Sequence, residues 1–180
     1  MGAVNPRGSP QSFDSAFLDT NFLVSCLMKT DRFNRHALAF LHGLLPSVRA
    51  GKKRLFVSAR VLEEVVWTCW RVLHDREHGR GSFSALSQAQ RLASLPSYRG
   101  PLKDIVRLLL SHGMPYEIAE LSAGDFADGA EIVLEHAIPL PDAMHVAMAR
   151  RLCDGFIVTN DRHMRALPDV TCITYGLPAE

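Results

Sequence analysis

A chain of 180 residues suffices for one sizeable core and is short for two full domains, and 47% hydrophobic with 22% charged residues is the make-up of an ordinary soluble globular protein. A formal net charge of +1 is too small for a protein that works by coating nucleic acid, so any nucleic-acid role must rest on a local site. No apolar run approaches a membrane span, and the N-terminus lacks the basic-then-apolar build of a secretion signal, so the expected location is cytoplasmic, with no membrane partner.

Residues 1–13 are rich in Gly, Pro and Ser without periodicity and read as a flexible segment ahead of a single domain over 14–180. Strand signals are short: 16–18, 55–58, 156–159 and 171–174. Between them, Leu38, Leu41, Leu45 and Val48 recur at helical spacing over 34–49, and Leu62, Val65, Val66, Cys69 and Leu73 do so over 59–74. Further helical patterns cover 101–112, 123–137 and 142–152. The polar stretch from 74 to 84 and the weak helix after it form an excursion near 74–94, a flap or a solvated loop. Strands alternating with helices imply right-handed crossovers and a three-layer α/β/α sandwich around a mainly parallel sheet.

Several chemistries lack their motifs. There is no GxGxxG or GxxxxGK[ST] phosphate loop and no GxSxG elbow. Cys26, Cys69, Cys153 and Cys172 form no CxxC pair, which fits reduced core thiols better than a zinc site or a disulfide framework.

The acids are placed more tellingly. Asp19 follows the first strand directly in "FLDTN", Asp161 follows the strand ending "FIVTND", and Glu63 and Glu64 come within two helical turns of the second strand. Asp142 opens the helix "PDAMHVAMA", which is apolar almost all the way round. Each acid alone has a plain explanation: Asp, Asn and Thr are favoured helix N-caps, and a Glu pair is commonly a solvated face. Asp142 lies outside the after-strand pattern, but Asp19, Asp161 and the Glu63–Glu64 pair together crowd the edge beyond the carboxyl ends of a parallel sheet, where such folds bind ligands. Carboxylates meeting there would repel one another unless a hard divalent cation joined them, and oxygen ligands favour Mg²⁺ or Mn²⁺.

"FLDTN", "VSARVLEEV", "LPDAMHVAMA" and "IVTND" resemble, in order and context, the motifs of PIN-domain ribonucleases, whose largest group is the VapC-like toxins of toxin–antitoxin pairs. The resemblance spans residues 16 to about 174. It implies metal-binding, catalytic acids at Asp19, Glu64, Asp142 and Asp161, with Asn21, Thr159 and Asn160 as polar supporters. It also implies RNA as substrate, and allows for an antitoxin protein partner and a homodimer. Glu64 stands six positions after Ser58, but a helical wheel places Glu63 equally far from the apolar centre, so Glu63 stays as the alternative second acid. The stretch between Glu64 and Asp142 is longer than in compact toxins.

Arg60 and Arg162 follow strands and are expected to face the crevice, where they would grip phosphates. The basic run "RAGKKR" precedes a strand and should lie at the opposite edge. His145 lies three residues after Asp142, and His136 and His163 also neighbour the acids, but the resemblance gives none of them a role. The expected activity is metal-dependent hydrolysis of RNA phosphodiester bonds. The alternative is a PIN-like module that binds RNA or protein with weak or no catalysis. A phosphotransfer receiver would need an acid-rich first loop and a placed lysine, and neither is present.

Overall fold

The structure, a computed structural model, describes residues 13–111 and 114–176. In chain order its elements are β1 (Ser15–Leu18), α1 (Thr20–Leu27), α2 (Asn34–Arg49), β2 (Arg54–Ser58), α3 (Ala59–His78), α4 (Ser82–Ala85), α5 (Gln88–Leu109), β3 (Glu117–Ala119), α6 (Ala123–His136), α7 (Leu140–Cys153), β4 (Phe156–Val158), α8 (Arg162–Arg165) and β5 (Thr171–Ile173). The five strands form one sheet in the order β3-β2-β1-β4-β5, and every pairing is parallel. This is the α/β/α architecture expected from the alternating pattern.

The central strand is the most apolar. Ala16, Phe17 and Leu18 of β1 are wholly buried, because both neighbours are strands and both faces carry helices. Phe22 and Leu23 of α1, Val57 of β2, Met148 of α7 and Ile157 of β4 complete the main core. From β1 the chain winds outward through β2 to β3, then returns to the other side of β1 as β4. The reversal puts a topological switch point between β1 and β4, where open parallel sheets hold their ligands. Asp19 and Thr159–Asp161 follow those two strands.

The segment near 74–94 differs from the expected excursion, since most of it is helical. α3 runs on to His78, a one-turn α4 follows, and α5 begins at Gln88. Its polar residues are consumed locally: Asp75 Oδ1 accepts from the Phe83 N–H (2.8 Å) and the Ser82 hydroxyl (3.1 Å), which seats Phe83 between Trp67 and Trp70. The "RAGKKR" turn does lie at the N-terminal end of β2, away from the acids, and Lys53 sits over the Phe13 ring there.

α6 and α7 pack closely enough that a side-chain carbon on Gly129 would stand 3.1 Å from Met144. Buried Asp125 clamps the pair, accepting from Arg151 Nε (2.7 Å) and Nη2 (2.9 Å) while capping its own helix through Ser122. α7 ends on Asp154 and Gly155, both with positive φ, and any side chain at Gly155 would strike the Asp169 carbonyl at 2.7 Å. All four cysteines are free; burial pushes their thiols up, to about 11 at Cys69 and about 12 at the other three. Among the described residues, no helix is long and apolar enough to cross a membrane.

Candidate active site

β1 delivers Asp19 to the carboxyl edge of the sheet, where the side chain is only 3% exposed. It caps α1 by accepting from the Thr20 N–H at 2.7 Å, as a capping aspartate would. Its second oxygen, however, is held by the Thr159 hydroxyl (2.7 Å) and the Asn21 amide (3.2 Å), which a simple cap does not need. Burial raises its pKa from 3.8 to about 6; the hydrogen bonds from Thr159 and Thr20 pull the other way, and the nearby Asp161 charge adds to the rise.

The tandem glutamates on α3 part company. Glu63 points to solvent and pairs with Arg60 at 2.8 Å. The Glu64 side chain, 23% exposed, turns inward, accepting from the Thr20 hydroxyl at 2.8 Å. Thr20 thus bridges the capped first acid and the second. Arg60 also reaches Glu64 at 3.1 Å, so its guanidinium is engaged by both glutamates rather than offered to a phosphate.

His145 of α7 fills the space between the two strands' acids. Its Nδ1 lies 3.8 Å from Asp19 Oδ1 and its Nε2 3.9 Å from Glu64 Oε2, both beyond hydrogen-bond range. The ring is 1% exposed, and among the described residues neither nitrogen has a hydrogen-bond partner. Burial holds its pKa below the ordinary histidine value, while Glu64 and Asp142 pull it up. The sequence signal was a polar side chain one turn after Asp142 within the apolar run of α7; its direction could not be read.

Asp142 sits in the first turn of α7 and is partly buried. Its pKa is raised to about 6, first by burial, then by the charges of Asp19, Asp161 and Glu64. This one carboxyl therefore feels all three other acids. Asp161 caps α8 through the His163 N–H (2.7 Å), and its own N–H donates to Thr159 Oγ1 at 2.9 Å, so Thr159 links the first and fourth acids. Asn160 faces elsewhere: its amide donates to the Tyr175 carbonyl (2.8 Å) and accepts from the Tyr175 N–H (3.0 Å), pinning the segment after β5. Arg162 is exposed beside Asp161. Among the described residues, no three His, Cys, Asp or Glu side chains form a ready coordination shell in this geometry.

A family model described as the PIN domain matches residues 16–170. The chain belongs to the PIN-domain family. No curated protein sequence matches it. Solved structures share the PIN fold across nearly the whole domain. VapBC2 of Rickettsia felis, crystallised with a DNA fragment from its promoter, aligns with a TM-score of 0.56 at 16% identity, covering 89% of this chain and 98% of that one. VapC20 of Mycobacterium tuberculosis, described as a toxin that cleaves the sarcin–ricin loop, aligns at 0.53 with 18% identity, covering 87% and 97%. Identities this low speak for the fold, and the PIN domain's chemistry has to be argued from its own residues.

Proposed function

We propose that this PIN domain is a divalent-metal-dependent endoribonuclease that hydrolyses RNA phosphodiester bonds, with Asp19, Glu64, Asp142 and Asp161 as its acids. The observation that carries the reading is the mutual repulsion at Asp142, raised to about 6 with three further carboxylates among its causes. A carboxyl raised first by burial and then by three neighbouring acids is in an arrangement that a hard cation relieves, and a donor set of oxygens suits Mg²⁺ or Mn²⁺. When bound, such an ion supplies a water of lowered pKa and neutralises charge building on the phosphate. The protein's part is orientation: Thr159 and Asn21 fix Asp19, Thr20 fixes Glu64, and His145 is a positioning residue wedged between them.

The reading extends to a protein antitoxin, as in the VapBC pair with the same fold, and to action in the cytoplasm. An apolar groove of about 440 Å³ between α3 and α5, lined by Trp67, Leu95 and Val106, continues into one edged by Arg99, Lys103 and Arg107. An apolar floor with a basic rim suits an acidic amphipathic segment of such a partner.

The test is cleavage of a mixed RNA pool. Mn²⁺ should support cutting, EDTA should abolish it, and duplex DNA should stay intact. Full activity in EDTA, with protein free of contaminating nuclease, would sink the mechanism; no cutting under any metal would favour the binding-module alternative.

A further inference from the structure

Beside the acids lies a second, polar cleft of about 380 Å³, close in size to the smaller pockets that hold a single ligand. Asn21 and Asp161 form the wall it shares with the acid cluster. The far wall is the loop between α1 and α2, which brings Arg32 and Phe33, and α8 contributes Arg162 and His163. We propose that this cleft binds one unpaired nucleotide of the RNA strand, adjoining the scissile phosphate, with Arg32 and Arg162 on the flanking phosphates. The identity of the strand rests on the endoribonuclease reading above.

The lining has mixed chemistry, as a nucleotide requires. Arg32 and Arg162 are exposed, and among the described residues neither is ion-paired, unlike Arg60 or Arg151. Asp31 lies in the same cleft and would repel a bare anion. Its Oδ1, however, is taken by the Phe33 N–H (2.7 Å) and the Ser25 hydroxyl (3.1 Å), and among the described residues its Oδ2 carries no hydrogen bond. A carboxylate oxygen without a hydrogen bond and two guanidinium groups without an ion pair, all among the described residues lining one cleft, match a ligand that carries both hydroxyl or amino donors and phosphate.

The walls are also set before any ligand arrives, which lowers the ordering cost of binding. Asn34 anchors the loop by donating to the carbonyls of Ser25 (2.7 Å) and Cys26 (3.2 Å) at the end of α1. The Arg32 guanidinium lies over the Phe33 ring at 4.6 Å, and Phe33 meets Tyr175 edge-on at 6.1 Å. Tyr175 is in turn fastened to Asn160 by the two backbone bonds already described. A cleft of this volume suits one unstacked nucleotide.

The experiment is fluorescence anisotropy with a labelled single-stranded oligoribonucleotide, in EDTA and again with Ca²⁺, across a range of salt. Arg32→Ala and Arg162→Ala should each weaken binding about tenfold, the scale of one charge-assisted hydrogen bond. Each should also flatten the plot of log affinity against log salt by about 0.7, the loss of one phosphate contact on a single strand. Arg80→Ala, an exposed arginine away from both sites, should bind as the parent does. With Mn²⁺ present, Arg32→Ala should raise KM and leave kcat nearly unchanged. Parental affinity and slope in both variants would overturn the proposal, as would duplex RNA bound as tightly as the single strand, or no binding by the parent. Weakened binding by the variants of a protein that cuts no RNA would leave the cleft standing and remove only the catalytic reading.

Discussion

Asp19→Asn separates a metal-binding acid from a helix cap, and the structure sets both its sign and its scale. In the metal-free protein Asp19 is raised from 3.8 to about 6. A raised carboxyl contributes stability at low pH that is lost as pH climbs through about 6, so at pH 8 the buried charge opposes folding by about 3 kcal/mol. Asparagine keeps the acceptor for the Thr20 N–H and ranks with aspartate as a cap, but it turns an amide toward the Thr159 hydroxyl and the Asn21 amide, at about 1 kcal/mol. The variant should therefore be more stable by about 2 kcal/mol at pH 8 in EDTA, or about 4–8 °C for a chain of this size. At pH 4.5 the parent's penalty shrinks to about 1 kcal/mol and the advantage should vanish. Thermal melts at the two pH values in EDTA measure it. Mn²⁺ at a hundred times its dissociation constant should then stabilise the parent by about 2.7 kcal/mol and the variant by much less. A variant less stable than the parent at pH 8, or equal Mn²⁺ shifts in both proteins, would remove Asp19 from the metal site and the nuclease reading with it.

The tandem glutamates should behave unequally: Glu63→Gln, exposed and paired only with Arg60, should keep most activity, while Glu64→Gln should be nearly inactive in the same RNA assay. The reverse result would move the second acid by one position. His145→Phe removes two buried ring nitrogens that have no hydrogen-bond partner among the described residues and keeps the volume beside Phe17, so in EDTA it should melt at or above the parent temperature. Its Mn²⁺ affinity, read by calorimetry, should fall; an unchanged affinity would make His145 a packing residue.

Four of the five strands could be read from sequence because each is a short apolar run closed by a polar residue, and β1, β2, β4 and β5 fall where those runs lie. β3 gave no such signal. It is an edge strand of three residues, Glu117, Ile118 and Ala119, with its side chains largely in water, so burial imposed no pattern on it. α5 was hidden differently. The weak helix ending near 94 and the helical pattern over 101–112 are one helix, which runs from Gln88 to Leu109 through Pro96 and Pro101, held by buried Tyr98 and Leu102 and by the Tyr98 hydroxyl on Glu77 at 2.8 Å. Tertiary packing outweighed the local penalty. Asp19, Asp161 and the glutamate pair stood out through their positions after strands, whereas Asp142, which opens a helix, stood out only through the resemblance. What sequence could not supply was direction: which of Glu63 and Glu64 turns inward depends on Thr20, and whether Arg60 meets phosphate or carboxylate depends on both.

The middle place of β1 in the sheet has a kinetic consequence. Its partner on one side, β2, is translated within forty residues of it, whereas β4 pairs Ile157 with Phe17 across some 140 residues of chain. Closing a loop of that length is slow, and it cannot begin until β4 itself has been made. Asp19 and Glu64 can meet early, but Asp142 and Asp161 arrive only with that closure. On the nuclease reading proposed above, a nascent chain therefore holds only part of its acid cluster until β4 has been made and docked beside β1.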